Sequence, residues 1–193
     1  MTTPDPLQRF LTAQRAFASV VHRVGADQWS SPTPCTEWDV RALVNQLVYE
    51  QLWATPMLEG TTVDEVGDRF DGDLLGNDPV SAWDQAAKES AAAFSAPGAL
   101  DRTTNSSRGP LPARQYIGEM TLDLLVHRWD LGQGVGDKQH FTDDELAQVE
   151  AMVTAMQPMQ EQLQAAGIFS PPVAVDAGAD AQARALAAMG RRT

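Results

Sequence analysis

Leu122-Asp123-Leu124-Leu125-Val126-His127-Arg128-Trp129-Asp130-Leu131 is apolar on nearly every side of a helical wheel. Such a pattern fits a helix enclosed by others better than one lying on a surface. The helix is predicted to run from about Ala113 to Gln133 and to stop at Gly134-Val135-Gly136, where glycine suits a left-handed cap. An enclosed helix needs neighbours, and the sequence supplies three. Leu7, Phe10, Leu11, Phe17, Val20, Val21 and Val24 recur at steps of three and four, predicting a helix over residues 5–24. Asp39 or Thr36 can cap a second helix over 39–58, with Val40, Leu43, Val44 and Leu47 as its apolar stripe. Asp78-Pro79 opens a third over 79–95, which Pro97-Gly98 stops. Four long helices and few strand signals predict an all-α fold: a four-helix bundle with additional C-terminal helices.

The connections are longer than bundle loops usually are, and such loops tend to be functional. Residues 30–37 carry two prolines and read as extended; 60–78 is a Gly- and Asp-rich loop with one short helical turn near Val63. Asp101 to Pro110 is polar and reads as a loop or a short extended piece. Thr142-Asp143-Asp144-Glu145 has the capping-box pattern and opens a helix that Pro158 should kink or interrupt. Phe169 to Val175 is expected to be extended, and an Ala-rich helix from Asp180 to Met189 closes the chain. No long internal period repeats, so a solenoid is excluded and one domain over 1–193 is expected.

With 14 Lys and Arg against 26 Asp and Glu, the formal charge is −12. That balance argues against duplex nucleic acid and anionic membrane surfaces, whose binding needs basic side chains. No apolar run reaches membrane-spanning length. The single cysteine, Cys35, makes no intrachain disulfide, and the opening residues lack a basic start followed by an apolar run. A cytoplasmic protein is expected.

Ionisable residues in an enclosed helix need a reason, because an unpaired buried charge is costly. Asp123, His127 and Asp130 stand at i, i+4 and i+7, on one face. An Asp and His pair at this spacing is half of a divalent-metal site, or a hydrogen-bonded pair that closes a polar spot in the bundle. The second helix offers Gln46 and Glu50, also at i, i+4, edging its apolar stripe. They are either the facing half of the site or solvated border residues. His22 and His140 read as surface residues. Cys35 has no adjacent His or Lys to activate it and reads as an idle or packed thiol. Trp38, Trp53 and Trp129 are candidates for an aromatic pocket or for core packing. Broad apolar helix faces also allow a homodimer, although no seam stands out.

Three blocks, Pro32 to Asn45, Asp71 to Gly76 and Asp123 to Leu131, together resemble the DinB-like superfamily. Within it the chain is most similar to small metal-binding proteins related to the N-terminal domain of mycothiol-dependent maleylpyruvate isomerase. The tail Ser170-Pro171-Pro172-Val173 and Ala188-Met189-Gly190-Arg191-Arg192 resembles that branch too. The resemblance implies a four-helix bundle holding zinc or nickel through a histidine late in helix 2 and a carboxylate and histidine pair that falls on Asp123 and His127. It also implies a thiol cofactor such as mycothiol and a small-molecule substrate, with transferase or isomerase chemistry. The helix 2 histidine falls at Gln46 in this chain, and an amide oxygen is a poor substitute for imidazole. Two functions follow from different classes. One is a metal- and thiol-dependent enzyme with Asp123, His127 and Gln46 or Glu50 around the metal. The other is a metal-free small-ligand-binding or interaction protein on the same bundle.

Overall fold

A computed structural model describes residues 5–106, 109–159 and 170–193. The described chain is mostly helical, with one small hairpin. α1 (Pro6–Val21) buries Phe10, Ala13, Phe17, Val20 and Val21 along one face. It ends at Val21 instead of Val24, because the N–H groups of Arg23 and Val24 turn back three residues, to Val20 and Val21. Asp39, and not Thr36, caps α2 (Val40–Glu59): its Oδ1 accepts from the Ala42 N–H at 2.8 Å. α3 (Val63–Val66) is the short turn expected near Val63, held by a Thr62 and Glu65 capping box. Asp78 caps α4 (Pro79–Ser95) with proline at its start.

The polar stretch before the central helix is a hairpin, β1 (Thr103–Ser106) antiparallel to β2 (Gly109–Pro112), with Thr104 opposite Leu111. Pro110 and Pro112 lack an N–H, so the ribbon cannot extend into a larger sheet. α5 (Ala113–Val135) is the enclosed helix: every residue from Leu124 to Gly132 is buried. α6 (Asp143–Met156) starts at the expected Thr142 and Glu145 capping box and gives way to a tight turn at Gln157–Met159, around Pro158. α7 (Ala181–Ala188) is capped by Asp180. In the tail, residues 170–176 form neither helix nor strand; Phe169 lies outside the described residues.

α1 packs on α5 and α4, and α2 packs on α4 and α5, so each long helix has two long neighbours. Between them lie Phe10, Phe17, Leu43, Leu47, Trp83, Phe94, Leu124 and Leu125, all fully buried or nearly so. Phe17 meets Trp83 at 4.5 Å between ring centres, and Phe10 meets Phe94 at 5.0 Å. α6 lies against α5, and α7 against α6. Gln182 fastens α7 to the connection before α6, accepting from the Phe141 N–H at 2.7 Å and donating to the Gln139 carbonyl at 3.1 Å.

Two glycines set the approach of distant chain segments to α5. A Cβ at Gly134 would stand 3.2 Å from the Pro32 carbonyl oxygen and 3.0 Å from Val40 Cγ2, so the proline-rich connection lies close against the end of α5. Gly190 has φ +82°, and a Cβ there would stand 2.5 Å from Ser170 Cβ. Gly190 therefore turns the chain after α7 so that Arg191 points back at α5.

Candidate functional site

Asp123, His127 and Asp130 follow one another along the enclosed stretch of α5. His127 is held from both sides: its Nδ1 lies 3.0 Å from Asp130 Oδ2, and its Nε2 lies 3.9 Å from Asp123 Oδ1. Asp130 is fully buried, the His127 side chain is 9% exposed and that of Asp123 is 44% exposed, so the row runs from core to solvent. Trp38 tilts over the imidazole with ring centres 5.6 Å apart. Burial alone disfavours the imidazolium. The hydrogen bonds to Asp130 and Cys35, with the charges of Asp123 and Asp130, outweigh it and raise the His127 pKa to about 10.

α2 brings the other expected pair to the same place. Gln46 Nε2 donates to Glu50 Oε1 at 3.1 Å, and Glu50 in turn hydrogen-bonds Asp123 within the field of His127. Burial first, and then the Asp123 charge, push the Glu50 pKa well above the ordinary carboxylate range, against smaller opposing effects of His127 and Gln46. Two carboxylates hydrogen-bond each other only when one keeps a proton. Tyr116 lies in the same field: burial, with Glu50, Glu119 and Tyr49 nearby, raises its pKa and keeps the phenol neutral.

On the far side of His127 lies Cys35, packed as one of its two readings had it. The thiol is not idle: its Sγ lies 3.3 Å from Asp130 Oδ2 and 3.9 Å from His127 Nδ1. The guanidinium of Arg191 closes the cluster, with Nη2 at 3.2 Å from Cys35 Sγ and 2.8 Å from Asp130 Oδ2. Burial opposes charge on Asp130, yet His127 and Arg191 hold its pKa below the ordinary value; the Arg191 pKa is raised despite its own burial because of Asp130. One donor atom each from Cys35, His127 and Asp130 lies within 4.8 Å of the others, a spacing that a metal ion can use. Arg191 already supplies the cation there, and a second positive charge would be repelled. On the other side of the ring, His127 Nε2 meets Asp123, and Glu50 stands in the field of both.

The remaining candidates separate cleanly. His22 is exposed and pairs with Asp84 at 2.8 Å, and His140 is exposed. Trp53 meets Tyr49 and Phe70, and Trp129 belongs to the core, so of the three tryptophans it is Trp38 that stands beside the imidazole. Cys35 and Arg191 lie 156 positions apart, and no local pattern joins them. The Met189-Gly190-Arg191 sequence after a helix was the signal available, since a glycine there redirects the next side chain.

Among the described residues, no helix is long and apolar enough to cross a membrane. No solved structure matches the chain. Two Mycobacterium tuberculosis proteins are each 36% identical to it over 155 residues, covering 78% of both chains. They are named Uncharacterized protein MT0763 (strain CDC 1551 / Oshkosh) and Uncharacterized protein Rv0738 (strain ATCC 25618 / H37Rv). A model of the mycothiol maleylpyruvate isomerase N-terminal domain matches residues 10–132, a span that takes in most of α1 and α5, all of α2 and α4, both strands and Gln46, Glu50, Asp123, His127 and Asp130. With most of its length inside that match, the chain belongs to the mycothiol maleylpyruvate isomerase N-terminal domain family.

Proposed function

We propose that this protein is a four-helix-bundle, divalent-metal-binding protein of the thiol-dependent transferase and isomerase type, with Glu50, Asp123 and His127 as the metal ligands and Gln46 beside them. One observation carries the reading: Asp123 Oδ1 lies 3.9 Å from the Nε2 of a buried histidine whose Nδ1 is already engaged by Asp130, and Glu50 of the facing helix interacts with that same Asp123. A divalent cation can take the place of the shared carboxyl proton and neutralise the pair. Two oxygen donors and one imidazole fit zinc or nickel and leave a position open for a thiol. A cation bound there lowers the pKa of a coordinated thiol, and mycothiol is the cofactor that the family relation suggests. The chain's own residues supply the rest. Asp130 orients the imidazole, Trp38 shields its face from water, and Tyr116 offers a neutral phenol as a hydrogen-bond donor close to Glu50.

A second reading, a metal-free pocket that binds a small molecule, draws its support from Gln46, which offers an amide where an imidazole would strengthen the donor set. Titration calorimetry with zinc and with nickel separates the two. Binding of one equivalent is expected, abolished by His127→Ala and retained by Cys35→Ser. Retention in the cysteine variant rules out the Cys35, His127 and Asp130 cluster as the metal site. His127, its pKa raised to about 10, holds a proton that the metal displaces, so affinity is expected to rise as pH goes from about 6 to about 8. Absence of binding across that range would leave the metal-free pocket.

A further inference from the structure

We propose that Arg191 and Asp130 are positioning residues that lock the His127 ring with Nδ1–H donating to Asp130 and Nε2 facing Asp123 and Glu50, which makes the C-terminal segment a working part of the site. Arg191 lies outside residues 10–132, the span matched by the family domain. It nevertheless reaches the centre of the cluster: its Nε and Nη2 both donate to Asp130 Oδ2, at 3.2 and 2.8 Å, and its Nη1 donates to the Met189 carbonyl at 2.8 Å. The guanidinium is thereby fixed at three nitrogens, and a planar fork so held fixes the carboxylate that it grips. Asp130 is fully buried and passes that constraint to His127 Nδ1 at 3.0 Å. An imidazole whose Nδ1–H is engaged by a carboxylate presents Nε2 as its free ligand atom. Without Arg191, Asp130 would be a buried carboxylate with one partner fewer and freedom to turn.

The chain supports this device from both ends. Gly190, with φ +82° and no room for a Cβ, sets the direction in which Arg191 leaves α7. The Arg191 N–H returns to the Leu186 carbonyl at 3.0 Å, and Val173 N–H bonds the Ala187 carbonyl at 2.9 Å, so the tail and the end of α7 are tied together. Cys35 Sγ fills the remaining side of the guanidinium at 3.2 Å. The inference rests on the functional reading only where it concerns metal affinity; the ring orientation can be read without metal.

The test is long-range proton–nitrogen NMR on protein labelled at its three histidines, with His127 assigned through His127→Gln. In the metal-free protein, a slowly exchanging Nδ1–H is expected for His127. On zinc addition, the Nε2 resonance moves and Nδ1–H persists. Arg191→Met is expected to speed exchange of that proton and to lower zinc affinity by about 10- to 100-fold. Arg191→Lys should recover part of both. Gly190→Ala, which alters no charge, should reproduce the Arg191→Met result by misdirecting Arg191. Wild-type exchange and affinity in Arg191→Met would overturn the inference, as would a lowered melting temperature with an unchanged His127 signal. A protected Nδ1–H lost in Arg191→Met, in a protein that takes up no zinc, would uphold the orientation and overturn the metal reading instead.

Discussion

Gln46→His is expected to raise zinc affinity by about 100-fold, or roughly 2.7 kcal/mol, over the unmodified protein. The side chain at position 46 already stands at the site, since Gln46 Nε2 reaches Glu50 Oε1 at 3.1 Å. An imidazole there adds a second nitrogen donor to a set of Glu50, Asp123 and His127, and adds no charge of its own. Zinc and nickel favour imidazole nitrogen over amide oxygen, so the gain falls on the bound state. Glu50 loses a neutral hydrogen-bond donor in the exchange, which frees its oxygen for the metal. Calorimetry on both proteins at one pH reads the difference. Equal affinities would show that position 46 does not face the metal, and failure of both to bind would favour the metal-free pocket.

That Gln46 meets Glu50 on α2 and Asp123 meets His127 on α5 is legible in the sequence because the spacing is local: residues four apart share a helical face whatever the rest of the chain does. The long helices were legible for the same reason, and so were the Asp39, Asp78 and Thr142 caps, each an oxygen placed just before an apolar period. The hairpin is ambiguous in the sequence between loop and extended piece, because its strands are short and two of the β2 residues are proline. The sequence leaves Cys35 between an idle and a packed thiol, because its partners are 92 and 95 positions away on α5. Tertiary packing of the proline-rich connection against Gly134 brings them together, and periodicity carries no information about such an approach. The sequence places Asp130 on the polar face of α5; that it meets Arg191 as well as His127 depends on a residue 61 positions away, which helical spacing does not reach.

Glu145→Ala is expected to lower stability by about 3 kcal/mol, because it strands a charge inside the fold. Arg128 leaves the enclosed face of α5 and meets Glu145 of α6 in a forked pair, Nη1 to Oε1 at 2.7 Å and Nη2 to Oε2 at 3.1 Å. The two side chains are only 7% and 11% exposed. Glu145 also accepts from the Thr142 N–H at 2.8 Å, so its removal opens the capping box as well as the ion pair. Arg128 would keep the His140 carbonyl at 3.1 Å and the face of Phe141, which do not neutralise it. Burial opposes the Glu145 carboxylate, but Arg128 and the Thr142 N–H outweigh it and hold its pKa below the ordinary 4.5. A depressed carboxyl pKa stabilises the folded protein above the unfolded value and ceases to do so as pH falls through the folded one. The stability gap between wild type and Glu145→Ala, measured by urea unfolding, should therefore be full near neutrality and narrow below pH 4.5. A neutral-pH gap under about 1 kcal/mol would mean that the pair behaves as an exposed one. The consequence reaches the site, because the same contact holds the start of α6, where Gln182 fastens α7 and thereby Arg191. Loosening it should also speed exchange at His127 Nδ1, although no altered atom touches the imidazole.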